Sequence, residues 1–427
     1  MSDQAVRLED LAQPIHPPAI AETFAQAEGL ASPDDLELPR LLERARMETG
    51  LSDFGAPGFE ARIETYLTSL ARDGRLSPMG RMSRAAEIVR FLKNRLLVED
   101  CIARHPEILD VEIARPIVIS GFPRTGTTHL HNSMAADPEL RYLPYWEALE
   151  PVLSREESAA MTRAREAGES VEDPRIERCR GSVGFINEAM PHFAKMHEMT
   201  WDHAHEEIDL LAIDFSTMYF EAPPGPLWHW VEDYRRRDQT PHYRYMRRVL
   251  QVLTFLRGGK RWVLKSPQHL EQLRALKAVF PDATLVLTHR DPLPVIASYA
   301  TMISYTARLQ QEKPDPHAYG RYVVERMGDL LDACLRDRAL WPEAQSIDVL
   351  FHEFVADQDA AVARVYQKAG QPLSDASREA IAEYARSHPA GRHGRIAYDL
   401  AQLGLDAKAL RERFAPYCER FGVRLER

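Results

Sequence analysis

Residues 116–128 read PIVISGFPRTGTT, and no other stretch constrains the fold as tightly. The β-branched run Ile117, Val118, Ile119 is cut at Gly121, and an amphipathic segment resumes at Thr127. That is the pattern of a buried strand, a tight loop and a helix N-terminus. Consecutive backbone N–H groups there, with the positive end of the helix dipole, suit phosphate or sulfate. An ATP-type loop reads G-x-x-x-x-G-K-[ST]. Here Thr127 stands at the lysine, and a cation comes three residues earlier as Arg124. The loop can cradle an oxyanion, but it lacks the lysine with which a kinase or NTPase grips a β/γ-phosphate.

A second anion site follows downstream. RWVLKSP (261–267) reads as a short strand ending in a polar loop, and residues 269–280 carry helical spacing up to Pro281. ATLVLT (283–288) is another buried strand, and it delivers His289, Arg290, Asp291 and Pro292 at its end. Pro292 and Pro294 fit the first turn of a following helix, which carries Ser298. Ligands of α/β sheets gather at the carboxyl ends of strands. An Arg at a strand end and a Ser on the next helix suit one phosphate, through a guanidinium fork and a hydroxyl donor.

The PRTGTT loop resembles the phosphosulfate loop of sulfotransferases that use 3′-phosphoadenosine-5′-phosphosulfate (PAPS). It is closest to the arginine-bearing version of the bacterial branch and of tyrosylprotein sulfotransferases. The resemblance implies that Arg124, Thr125, Gly126, Thr127 and Thr128 hold the 5′-phosphosulfate, and that Arg290 and Ser298 hold the 3′-phosphate. A late cationic loop, HPAGRHGR (388–395), is similar in place to the family's closing loop, which gives Arg392 and Gly394 to PAPS. Lys265 and Ser266 match the first two residues of the cytosolic enzymes' Lys-Thr-His run, so Lys265 is expected near the transferring group. Pro267 stands where that run carries its catalytic histidine.

Proline accepts no proton, so another base must serve the acceptor hydroxyl. Glu147 lies after the loop helix, much as the catalytic glutamate of tyrosylprotein enzymes does, and is the first candidate. His269, two residues past Pro267, is the second; His131 and the histidines of WDHAHEE (201–207) are further ones. The pair His203 and His205, with Glu206 and Glu207, has a spacing that can bind zinc. A polar pocket rim is the preferred reading, and no metal is expected.

The expected fold is α/β: a P-loop-type parallel sheet flanked by helices. Residues 1–110 form a helical N-terminal cap and 111–427 the sulfotransferase domain, with a helical insertion over about 147–259 and a helical part from about 360. The cap stripes fall at Phe59, Ile63, Tyr66, Leu67, Leu70 and again at Ile88, Phe91, Leu92, Leu96. The 427 residues, 44% hydrophobic, suffice for one large core with an appendage. Lys+Arg 54 against Asp+Glu 64 gives a net charge of −10, which argues against general nucleic-acid binding. Four scattered cysteines without C-x-x-C spacing read as reduced thiols. The start MSDQAVRLED lacks a secretory pattern, and no apolar run approaches the roughly 20 residues of a membrane span. The chain is expected to be a cytoplasmic, PAPS-dependent enzyme sulfating a small-molecule or lipid-like hydroxyl acceptor, with a homodimer allowed by the cap. A P-loop kinase or NTPase and a catalytically silent nucleotide-binding protein are the alternatives.

Overall fold

The β-branched runs become a parallel sheet. The computed structural model describes residues 5–389 and 391–426, so Met1–Gln4, Ala390 and Arg427 lie outside it. Its strands are, in chain order, β1 (Val6–Arg7), β2 (Ile117–Ser120), β3 (Leu140–Arg141), β4 (Arg261–Lys265), β5 (Thr284–His289), β6 (Ser346–Leu350) and β7 (Ile396–Ala397). Five of them pair in the order β3-β4-β2-β5-β6, every pairing parallel. Every residue of the central β2 and of β5 is buried, which is why both read as continuous apolar runs instead of alternating ones.

Alternate residues of the sheet feed two cores. Ile117, Ile119, Val263 and Val286 pack with Leu130, Val362, Val365 and Ile381 from the helices Thr127–Ala135, Gln358–Ala369 and Asp375–Ser387. Val118, Leu264, Leu285 and Leu287 belong to a far larger cluster that takes in Phe59, Ile63, Phe91 and Leu92. The helices of residues 1–110 thus close one face of the sheet. Two of them, Phe59–Arg72 and Pro78–Arg104, follow the stripes read from sequence. Truncating such a fully buried residue, for example Ile119→Ala, costs about 2–5 kcal/mol.

One feature departs from a purely helical cap. Val6–Arg7 forms a parallel pair with Ile396–Ala397, and Arg7 reaches Asp399. Residues 147–259 carry several helices, the longest at Pro174–Ala189 and Thr240–Arg257. No helix among the described residues is long and apolar enough to cross a membrane.

Candidate active site

Three sheet strands, β4, β2 and β5, deliver the residues expected to bind anions side by side at their carboxyl ends. After β2 the chain turns at Gly121, where a Cβ would stand 2.1 Å from the Thr288 hydroxyl oxygen. Only glycine lets the loop pass this close to β5. Gly126 then takes φ +91° as the N-cap of Thr127–Ala135. Arg124 also sits at positive φ, +74°, a strained setting for a side chain that the surrounding structure must impose. The Thr125 hydroxyl points inward, donating to the Phe122 carbonyl (2.6 Å) and sharing a hydrogen bond with Thr288 (2.7 Å). Thr125 therefore offers a ligand its backbone alone.

The cations converge but differ in partners. Arg124 donates from Nε to the Ser298 hydroxyl (2.9 Å) and from a terminal nitrogen to the Met196 carbonyl. Among the described residues it has no carboxylate partner. Burial pulls its guanidinium below the usual arginine value; the Tyr398 hydroxyl works against that, and Arg290 adds to it. Lys265, 2% exposed, pairs with Glu206 and lies 3.5 Å from the Thr128 hydroxyl. Arg290 donates to the Arg124 carbonyl (2.9 Å) and makes a two-pronged contact with Glu426, at 2.7 and 2.9 Å. Arg392 pairs with Glu198, and the adjoining His393 carbonyl accepts from Lys195 (3.0 Å). Gly394, at φ +90°, turns the same loop over the cleft.

Arg124, the loop end and Arg392 border a cleft of about 700 Å³, while Lys265, Arg290 and Ser298 lie behind its lining. Its walls include Arg124, the Gly126–Thr128 loop end, Arg392 and Gly394, together with the rings of His129, Phe354 and Tyr384. A second hollow, about 850 Å³, lies by Arg338 at the amino end of β6, away from the strand ends that carry the loop.

A sequence profile described as "Sulfotransferase family" matches residues 116–375, more than half of the chain. The chain belongs to the sulfotransferase family. Among solved structures it is similar to sulfotransferase STF1 of Mycobacterium tuberculosis: 29% identity, TM-score 0.75, covering 88% of this chain and 98% of that one. It is likewise similar to sulfotransferase STF9 of Mycobacterium avium, at 27% identity and TM-score 0.78, covering 91% and 97%. Comparison with curated proteins gives no match.

Within this sulfotransferase the two leading base candidates sit elsewhere than expected. Glu147 is fully buried and does not border the cleft: its carboxylate takes Arg141 at 2.5 Å and Arg257 at 3.6 Å. Its position after the loop helix pointed to a pocket acid, but two arginines make Glu147 a buried counter-ion. His269 is also fully buried; Tyr243 donates to Nδ1 (2.7 Å) and Nε2–H donates to Glu207 (3.3 Å). His131 donates to the Val263 carbonyl, and burial, with Lys265 close by, holds it well below the usual imidazole value.

The WDHAHEE histidines form a chain. His205 donates to Asp209 (2.8 Å), His203 donates to His205 (3.0 Å), and the Thr200 N–H donates to His203 Nδ1 (3.2 Å). Burial lowers the His203 imidazole to about 3, with His205 the next cause. No group of three or more His, Cys, Asp or Glu converges on a metal-binding geometry among the described residues. The sequence reading missed the aromatic wall. Its one visible signal was His129, directly after Thr127-Thr128 in the first helical turn.

Proposed function

We propose that this sulfotransferase moves a sulfuryl group from PAPS to a hydroxyl of a small-molecule or lipid-like acceptor. One observation carries the reading: Arg124, the Gly126–Thr128 loop end, Lys265, and Arg290 with Ser298 come together at the carboxyl ends of three neighbouring strands. The loop amides and Thr128 would hold the 5′-phosphosulfate, and Arg290 with Ser298 the 3′-phosphate. Arg392 and Gly394 would close over the nucleotide, whose purine suits the His129, Phe354 and Tyr384 rings. Sulfuryl transfer, like phosphoryl transfer, passes a loose in-line transition state in which positioning and charge stabilisation dominate. Negative charge grows on the oxygen bridging sulfur and the 5′-phosphate. Arg124, permanently cationic and forked, meets that charge, with Lys265 beside the sulfuryl group.

The kinase alternative is disfavoured by Thr127 at the lysine position. We read the enzyme as cytoplasmic and metal-independent. Calorimetry with 3′-phosphoadenosine 5′-phosphate against ATP tests the donor, and sulfate transfer to a panel of phenols and alcohols tests turnover. Equal binding of the two nucleotides would remove the donor assignment. Selective binding without transfer to any acceptor would leave a silent nucleotide-binding protein.

A further inference from the structure

We infer that His197 is the general base of this active site, the group that takes the proton of the acceptor hydroxyl. The inference rests on the donor reading above. Pro267 leaves the usual histidine position vacant, so the base must come from another element. Five histidines border the cleft: His129, His197, His203, His388 and His393. Four have a committed ring nitrogen. His129 donates to Gln358 (2.9 Å), His203 is held by Thr200 and His205, His388 donates to the Tyr384 carbonyl (3.1 Å), and His393 accepts from Arg392 (3.1 Å). His197 alone makes no side-chain hydrogen bond among the described residues. His129 and His388 each keep one unengaged nitrogen, but both rings belong to the aromatic wall: His129 lies 5.9 Å from the Tyr384 ring and His388 stacks on it at 4.0 Å.

Its location is as specific as its freedom. The Met196 carbonyl, one residue before it, receives the Arg124 guanidinium, so His197 hangs beside the cation assigned to the leaving group. Its ring stands 6.5 Å from that of His203. The His203 segment is in turn tied to the loop helix, because the Ala204 N–H donates to Asn132 (3.0 Å), one turn beyond Thr128. Burial keeps His197 well below the usual imidazole value, and His203, Lys265, Arg124 and His205 add to the effect, so the ring is neutral at rest, with a weakened basicity that the negative charge of a bound donor would raise again.

The step balances as follows. The acceptor oxygen forms its bond to sulfur while its O–H bond breaks and the proton passes to a ring nitrogen of His197. The bond from sulfur to the bridging oxygen breaks, and its electron pair leaves on the 5′-phosphate of 3′-phosphoadenosine 5′-phosphate. The imidazolium proton then returns to water.

The test uses the full chain, PAPS, and the probes 2-naphthol and 4-nitrophenol. His197→Ala and His197→Gln should lower kcat for 2-naphthol by about 10²–10⁴-fold, the usual general-base contribution. The loss should shrink for the more acidic 4-nitrophenol, and added imidazole should restore part of the His197→Ala rate. Affinity for 3′-phosphoadenosine 5′-phosphate should stay within about twofold, because His197 is an acceptor-side group. In the wild-type enzyme, diethyl pyrocarbonate should modify His197, and the bisphosphate nucleotide should protect it. Full turnover in His197→Ala, a loss equal for both phenols, or modification that ignores the nucleotide overturns the assignment and leaves the donor reading standing. A wild-type chain that binds no 3′-phosphorylated nucleotide overturns both.

Discussion

The floor and the rim of the cleft carry the same kind of cation in opposite states. On the floor, Arg124 is held by a hydroxyl and a carbonyl, with its charge unneutralised by any carboxylate among the described residues. On the rim Arg392 is already engaged by Glu198, and beside the loop Arg290, which does not line the cleft, is engaged by Glu426. A neutral partner fixes a guanidinium without consuming its charge, so Arg124 can respond fully to charge that develops in a reaction. A carboxylate partner must be exchanged for the ligand's phosphate, so part of the binding energy there goes into breaking an existing pair. On the proposed function, transition-state stabilisation and ground-state grip would fall to different arginines.

The sharpest test removes the floor cation. Arg124→Ala should cut turnover by about 10²–10³-fold, as loss of a preorganised charge-stabilising donor does, with a much smaller change in nucleotide affinity. Steady-state kinetics beside calorimetry would expose an error if affinity fell as far as kcat. At the carboxylate-paired arginines the order reverses. Arg290→Ala should weaken binding of 3′-phosphoadenosine 5′-phosphate by about 2–4 kcal/mol while kcat at saturation changes little.

Glu147→Gln probes the interior in place of the cleft. It leaves Arg141 and Arg257 without their anion and should lower unfolding free energy by about 1–3 kcal/mol in a denaturant titration, with nucleotide affinity unchanged. A stable but inactive variant would return Glu147 to the chemistry. Glu426→Gln should tighten nucleotide binding only about two- to fivefold, because a half-exposed ion pair contributes at most about 1 kcal/mol. Unchanged or weaker binding would break the exchange argument for the carboxylate-paired arginines. EDTA should have no effect on turnover, since the charges that meet the leaving group are side chains; zinc- or magnesium-restorable loss would contradict this.

Legibility in the sequence followed contact distance. Strands β2, β4 and β5 announce themselves because strands buried on both faces are apolar runs. Strands β1, β3 and β7 are two residues each, too short to carry any periodicity. In β6, burial alternates irregularly along Ser346–Leu350, and the run SIDVL carries an acid that masks it. The loop residues 124–128 and the Arg290–Ser298 pair are local patterns and could be read directly. The glutamates that hold the cations were invisible, because Glu206 meets Lys265 across 59 positions and Glu198 meets Arg392 across 194. Glu147 misled for the same reason. Arg257, which helps turn it into a buried counter-ion, comes from the far end of the helical insertion.

The pairing of β1 with β7 has a consequence for how the molecule is made. Arg7 and Asp399 are 392 positions apart, yet they meet beside the loop that carries Arg392. A ribosome adds roughly 5–20 residues per second, so β1 must wait roughly 20–80 s for its partner strand to emerge. Throughout that interval Leu8 and Leu11, at 3% and 1% exposure in the finished structure, lack part of the surroundings that bury them. Closure of the cleft rim therefore waits on residues made long after β1, and the nascent chain carries a sticky segment at Leu8–Leu11 that chaperones would have reason to hold.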